Sequence, residues 1–320
     1  MAVFTPVSED ALIPWLHERS AGELVNLKGI ASGIENTNYF VDTSTGRHVL
    51  TIFEKLTAHE LPYYLGFMQH LSAAGLPVPR PAATSEGLLF SPLMGKPAAL
   101  VDRLPGESAM RPNAAQCHAI GQFCALAHQA ARSFDMRHDN PRGLPWWTAT
   151  QTQVHPFLPA ELCALMDDEI GIQQDFARTP SYQALERSAV HADLFRDNAL
   201  FVGDRLGGVI DFYFAGDDTW LFDLAVCIND WCINHQTGHI EPQLAHAMLE
   251  GYATTQPFSD NDRKAWPYML RAAALRFWMS RLYDFYMPRE AEMLTPKDPT
   301  HFERILKLRR AGDIAPLPAH

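Results

Sequence analysis

The chain has 320 residues, a formal net charge of -11, and 47% hydrophobic against 20% charged side chains. That is enough apolar material for one large or two ordinary globular domains, and its negative charge excludes nucleic acid and anionic membrane as electrostatic partners. Five cysteines without a C-x-x-C pair, no signal-peptide pattern, and no apolar run of about 18 residues predict a reduced, cytoplasmic chain without a spanning helix.

A short helix is expected over Ser8–His17, with Ser8 as its N-cap. Strands follow at Leu24–Lys28, Asn38–Asp42 and Arg47–Phe53. Between the first two lies a glycine-bearing loop, from Gly29 through Ser32, Gly33 and Asn36 to Thr37. Such a hairpin can lay backbone N–H groups over a triphosphate. Leu61, Leu65, Met68 and Leu71 recur at helical period within 59–74, and Gly75 and Pro77 stop that helix. Two more strands are expected, near Leu88–Phe90 and Ala98–Asp102, and Val101–Glu107 reads as a hinge. Helices are expected over Asn113–Ser133, Leu158–Phe176 and Tyr182–Arg187, with Trp146 and Trp147 in a loop.

The densest chemistry lies at Val190–Asn198, which reads H-x-D-x-x-x-x-N from His191 through Asp193 to Asn198. A hairpin is expected next: a strand from Ala199, a turn over Gly203–Gly208, and a strand Val209–Phe212 carrying Asp211. It would return Asp211 beside Asn198. The first acid then accepts a proton from an attacking hydroxyl, and Asn198 and Asp211 supply oxygens to Mg2+. Past the hairpin, Leu221, Leu224, Ala225, Ile228 and Cys232 share one helical face, and Asp223 and Asp230 share the opposite one. Two readings of Asp230 stand: a solvated acid, or the partner of a substrate ammonium. In Leu270–Tyr286, Arg271, Trp278, Arg281, Leu282 and Phe285 form one stripe, with Arg276 on the solvated side. Arg281 in an apolar stripe needs an anion, either an internal acid such as Asp284 or a substrate carboxylate held bidentately. The tail from Ile314 reads as frayed.

The motif and the Ile210-Asp211-Phe212 segment resemble the kinase signatures H-R-D-L-x-x-x-N and D-F-G. Ala192 and Tyr213 depart from those signatures in the manner of the aminoglycoside phosphotransferase superfamily. With Ser32–Tyr39, Val49–Glu54 and Trp220–Cys232 included, the chain is similar over nearly its whole length to the bacterial homoserine kinases of that superfamily. The resemblance implies an α+β, bilobal protein-kinase-like fold. Residues 1–102 would form an antiparallel N-lobe with one helix, and 103–320 a larger, mostly helical C-lobe. It implies ATP and Mg2+ as cofactors and L-homoserine as the small-molecule substrate, phosphorylated on its side-chain hydroxyl for threonine biosynthesis. Asp193 would be the base. Ser32, Gly33, Asn36 and Asn38 would cover the phosphates, and backbone groups of Asp102 and Leu104 would meet adenine. Asp223 would brace the catalytic loop. The family places a phosphate-binding cation on the third strand where this chain has Thr51, so Lys28, Lys55, or backbone and metal alone must serve. Glu60 is either the acid bracing such a cation or a helix-terminal glutamate. Two rivals remain open: a same-fold kinase of another amine or aminoglycoside, and a nucleotide-binding regulator without turnover.

Overall fold

The structure is a computed structural model that describes residues 5–30, 36–287 and 297–319. The chain divides into two compact units, one running through Pro105 and including Gly207–Ile210, the other holding Gly106–Leu206 and the chain from Asp211 onward.

In the smaller unit, helix α1 (Glu9–His17) is capped by Ser8, whose side chain accepts from the Ala11 N–H. Strands β1 (Leu24–Gly29), β2 (Thr37–Thr43) and β3 (Arg47–Ile52) precede α2 (Leu61–Ala73), and β4 (Ser91–Leu93) and β5 (Lys96–Asp102) complete an antiparallel sheet of order β1-β2-β3-β5-β4. The first strand of the last hairpin lies a few residues beyond the expected Leu88–Phe90. One face of β2 is buried at every second residue, Thr37, Tyr39, Val41 and Thr43, the alternation a half-covered sheet demands. Tyr39, Val41, Leu50, Ile52 and Leu100 pack against Leu12, Trp15 and Leu16 of α1.

The larger unit opens with β6 (Glu107–Ser108) and α3 (Ala114–Ala131), which starts on a capping box between Asn113 and Gln116. Helices α4 (Leu144–Val154), α5 (Ala160–Ala177) and α6 (Pro180–Gln183) follow, then strands β7 (Arg187–Val190), β8 (Ala199–Val202), β9 (Arg205–Val209) and β10 (Gly216–Thr219). Helices α7 (Trp220–Trp231), α8 (Pro242–Ala253), α9 (Asp260–Tyr286) and α10 (Thr300–Arg310) finish the chain.

Several expectations are corrected here. Trp146 and Trp147 sit on α4, started by Pro145 in its first turn, where proline fits without losing a hydrogen bond. The expected helix over Tyr182–Arg187 ends at Gln183, and Arg187 begins β7, which pairs with β10 from Gly216↔Val190 to Thr219↔Arg187. The hairpin turns at Gly203, whose φ of +62° allows a tight reversal, so Gly207 and Gly208 lie inside β9. Gly208 is needed for close approach, because a Cβ there would stand 2.2 Å from Leu104 Cδ1. The tail is docked: Trp266 Nε1 donates to the Ala315 carbonyl at 2.8 Å, and Arg263 donates to the Leu317 carbonyl at 3.0 Å. Phe285, placed in the apolar stripe, is 47% exposed.

Helices α3 and α8 approach at glycines. A Cβ on Gly121 would lie 1.9 Å from the Met248 carbonyl oxygen, and one on Gly251 would lie 2.2 Å from that of His118. Backbone cannot yield as a side chain does. Gly121→Ala should therefore destabilise the fold by about 2–3 kcal/mol. The check is urea unfolding: a lower midpoint at unchanged slope is expected, and a wild-type midpoint would refute the close packing.

Candidate active site

The loop from His191 to Asn198 and the residue Asp211 belong to the larger unit, and the backbone there is held in an uncommon shape. Ala192 has φ +60° and Asp211 has φ +63°. Left-handed conformations at non-glycine residues cost about 1–3 kcal/mol and persist only where the surroundings enforce them. The enforcing contacts are visible. The Ala192 N–H donates to Asp223 Oδ1 at 2.6 Å, and Asp223 Oδ2 lies 2.9 Å from His128 Nε2. His128 Nδ1 lies 3.0 Å from the Tyr252 hydroxyl, so α3, α7 and α8 all anchor the loop. Burial works against charge on Asp223, yet the hydrogen bonds from His128 and the Ala192 N–H hold its carboxyl below the ordinary value. Next along the loop, Trp231 Nε1 donates to the Leu194 carbonyl at 3.0 Å. The His191 ring is buried, lies 4.5 Å from the Phe212 ring, and its Nδ1 accepts from the Asp193 N–H at 3.2 Å. It braces the loop and presents no free nitrogen to chemistry on that side.

Asn198 Nδ2 donates to the Asp193 carbonyl at 2.9 Å. This fixes the amide and leaves its Oδ1 without a donor among the described residues. The Asp193 side chain is 19% exposed. Burial pushes its carboxyl up to about 7; Arg276 opposes this, and the charges of Asp211 and Asp197 add to it. Asp193 and Asp211 are thus within electrostatic reach of one another. Two carboxylates and an oriented amide oxygen are a hard-cation donor set.

Sequence reasoning missed Arg276. It was placed on a solvated side, but it is 4% exposed and its guanidinium lies 3.6 Å from Asp193 Oδ1. It also covers the Phe277 ring at 3.9 Å. Asp230 is not solvated either. Its Oδ2 accepts from the Arg196 N–H at 2.9 Å and from Arg196 Nε at 3.0 Å. Arg271 of α9 pairs with the buried Glu169, which Arg310 also contacts at 2.7 Å. Arg281 is partnered by neither Asp284 nor any other carboxylate among the described residues; it donates to the Asp298 carbonyl at 3.2 Å.

In the smaller unit, Thr51 Oγ1 donates to Asn38 Oδ1 at 2.8 Å, and Asn38 Nδ2 donates to the Asn36 carbonyl at 3.4 Å. The threonine on the third strand thus fixes the residue opposite it in β2. Lys96 pairs with Glu54, which also accepts from Thr5 and Thr37 at 2.7 Å each. The Glu60 carboxylate accepts from Thr57 at the start of α2. The Asp102 N–H is taken by the Arg80 carbonyl at 3.0 Å, and Leu104 covers Gly208. Ser32 and Gly33 lie outside the described residues.

A model of the phosphotransferase enzyme family matches residues 26–258. The chain belongs to the phosphotransferase enzyme family. This phosphotransferase is 50% identical over 317 residues to a homoserine kinase of Janthinobacterium sp. (strain Marseille), covering 99% of this chain and 98% of that one. It is 49% identical over 329 residues to a homoserine kinase of Cupriavidus necator, covering 99% of each. Among solved structures, the amicoumacin kinase hAmiN superposes with a TM-score of 0.68 at 14% identity, over 91% of this chain and 90% of that one. Spectinomycin phosphotransferase APH(9)-Ia superposes at 0.65 and 13% identity, over 95% of each. These two likenesses establish the kinase-like α+β fold. No described helix is long and apolar enough to cross a membrane.

Proposed function

We propose that this phosphotransferase is a homoserine kinase, transferring the γ-phosphoryl group of ATP to the side-chain hydroxyl of L-homoserine. The products are ADP and O-phospho-L-homoserine, a step of threonine biosynthesis, which we place in the cytoplasm. The observation that carries this reading is half-identity to homoserine kinases along essentially the whole chain.

Asp193 orients the hydroxyl and takes its proton as the oxygen attacks phosphorus. A carboxyl pushed up to about 7 by burial is well matched to that task. Asn198 and Asp211 would hold magnesium, and the pinned amide, whose Oδ1 has no donor among the described residues, fits that role. Magnesium, when bound, neutralises charge on the phosphates. Ser32, Gly33, Asn36 and Asn38 are assigned to the phosphates, and backbone groups of Asp102 and Leu104, other than the Asp102 N–H that the Arg80 carbonyl takes, to adenine. Positioning and charge compensation supply most of the rate, since little covalent work falls to the protein. The reading of a regulator without turnover rested on Thr51, and that hydroxyl has an occupation in holding Asn38.

Coupled ADP release over a panel of hydroxylated amino acids, amino alcohols and aminoglycosides tests the proposal. Homoserine should exceed every other acceptor in kcat/KM by about 100-fold. Preference for an aminoglycoside, or nucleotide binding without turnover, would refute it.

A further inference from the structure

A pocket of about 310 Å³ opens in the larger unit beside the catalytic loop, with Phe195, Arg196, Asp197, Asp230, Arg281 and Lys297 in its wall. Its volume is at the lower end of the range for small-molecule sites. Two of its residues, Asp197 and Lys297, are close enough to Asp193 for their charges to act on that carboxyl. The wall thus lies within electrostatic reach of Asp193.

Its charges cancel in pairs, except one. Arg196 is locked to Asp230 at 3.0 Å, and Lys297 stands 3.6 Å from Asp197. Two histidines, His235 and His301, complete the wall. Burial first, then neighbouring guanidinium groups, hold both below the usual histidine range, so they are neutral near pH 7. Among the described residues of the wall three cations face two carboxylates, and Arg281 is the cation with no carboxylate within 4.0 Å, while the charges of Asp230, Asp298 and Asp197 act on it from farther off. Arg281 lies over the Phe302 ring at 4.5 Å and spends a donor on the Asp298 carbonyl. Among the described residues no carboxylate approaches it within 4.0 Å. A partly buried guanidinium without a carboxylate in a small pocket is a site for an anion.

We infer that this pocket receives the acceptor amino acid and that Arg281 binds its α-carboxylate, leaving the side-chain hydroxyl directed to Asp193. The inference rests on the homoserine kinase reading and adds to it the group that selects an amino acid over a simple amino alcohol. Asp230 then serves the pocket indirectly, by holding Arg196 in the wall.

The test compares homoserine with 3-aminopropan-1-ol, which is homoserine without its carboxylate. In Arg281→Met, kcat/KM for homoserine should fall by about 30-fold or more, and that for 3-aminopropan-1-ol by less than about threefold. The KM for MgATP should stay within about twofold, and Arg281→Lys should recover part of the homoserine loss, because charge persists without the planar fork. Equal losses on both acceptors would mark Arg281 as structural and overturn the assignment. So would an unchanged homoserine kcat/KM. A wild-type enzyme inactive on homoserine would instead sink the functional reading itself, and this inference with it.

Discussion

Asp193→Asn should lower kcat for homoserine phosphorylation by about 10²–10⁴-fold, the span expected for removing a general base, while the dissociation constant for MgATP changes little. Asparagine keeps the shape of the loop, so the change isolates proton acceptance. The same variant should be no less stable than the wild type. Asp193 sits where burial raises its carboxyl from 3.8 to about 7. Across that interval the folded chain holds a proton that the unfolded chain releases. Fold stability therefore falls as pH rises through this window, and the neutral asparagine removes the penalty. Thermal unfolding near pH 7.5 should show a melting temperature equal to or above that of the wild type. A variant that melts much earlier would assign Asp193 to structure, and near-normal turnover would remove it from the base role. Activity carries the complementary sign. The base must be ionised, so kcat/KM of the wild type should decline as pH drops below about 7.

Asp211→Asn should raise the magnesium concentration needed for half-maximal rate by about tenfold or more and lower kcat by about 10²-fold. The choice of asparagine matters. Asp211 has φ +63°, and asparagine is among the few residues that enter this region readily. Alanine would mix strain with lost chemistry. Because the Asp211 charge raises the Asp193 carboxyl, the acid-side decline in kcat/KM should also move to lower pH. The measurement is initial rate against magnesium at fixed ATP, repeated across pH. An unchanged magnesium requirement would take Asp211 out of the metal site.

The loop carrying His191, Asp193 and Asn198 was legible because its signal is local. Histidine, acid and amide fall within eight residues, and the hairpin after them is a two-stranded unit, β8 and β9, with Asp211 just past its end. The buried faces of β2 and α2 were legible for the same reason: one face is covered and the other is not, so periodicity survives in the sequence. Arg276 was hidden by the failure of that condition. Every residue from Ala272 to Met279 is buried, so α9 has no solvated side there and helical arithmetic cannot sort its faces. The pair β7 and β10 was missed because Gly216-Asp217-Asp218-Thr219 carries little strand propensity; it is a strand through pairing with Arg187–Val190, far off in sequence. The docked tail depends likewise on distant partners, Arg263 and Trp266. Asp230 and Arg281 stand out by their positions on helices, but only packing shows that Asp230 is already paired and that Arg281 has no carboxylate within 4.0 Å among the described residues.

In the proposed mechanism Asp193 directs the γ-phosphoryl group of ATP onto the side-chain hydroxyl of homoserine. Phosphorus NMR of the reaction mixture tests it most directly. The wild type should accumulate a phosphate monoester of homoserine in step with ADP, and Asp193→Asn should yield neither beyond the rate of the blank. Inorganic phosphate appearing with ADP in place of the monoester, or the monoester forming at the wild-type rate in the variant, would contradict the account.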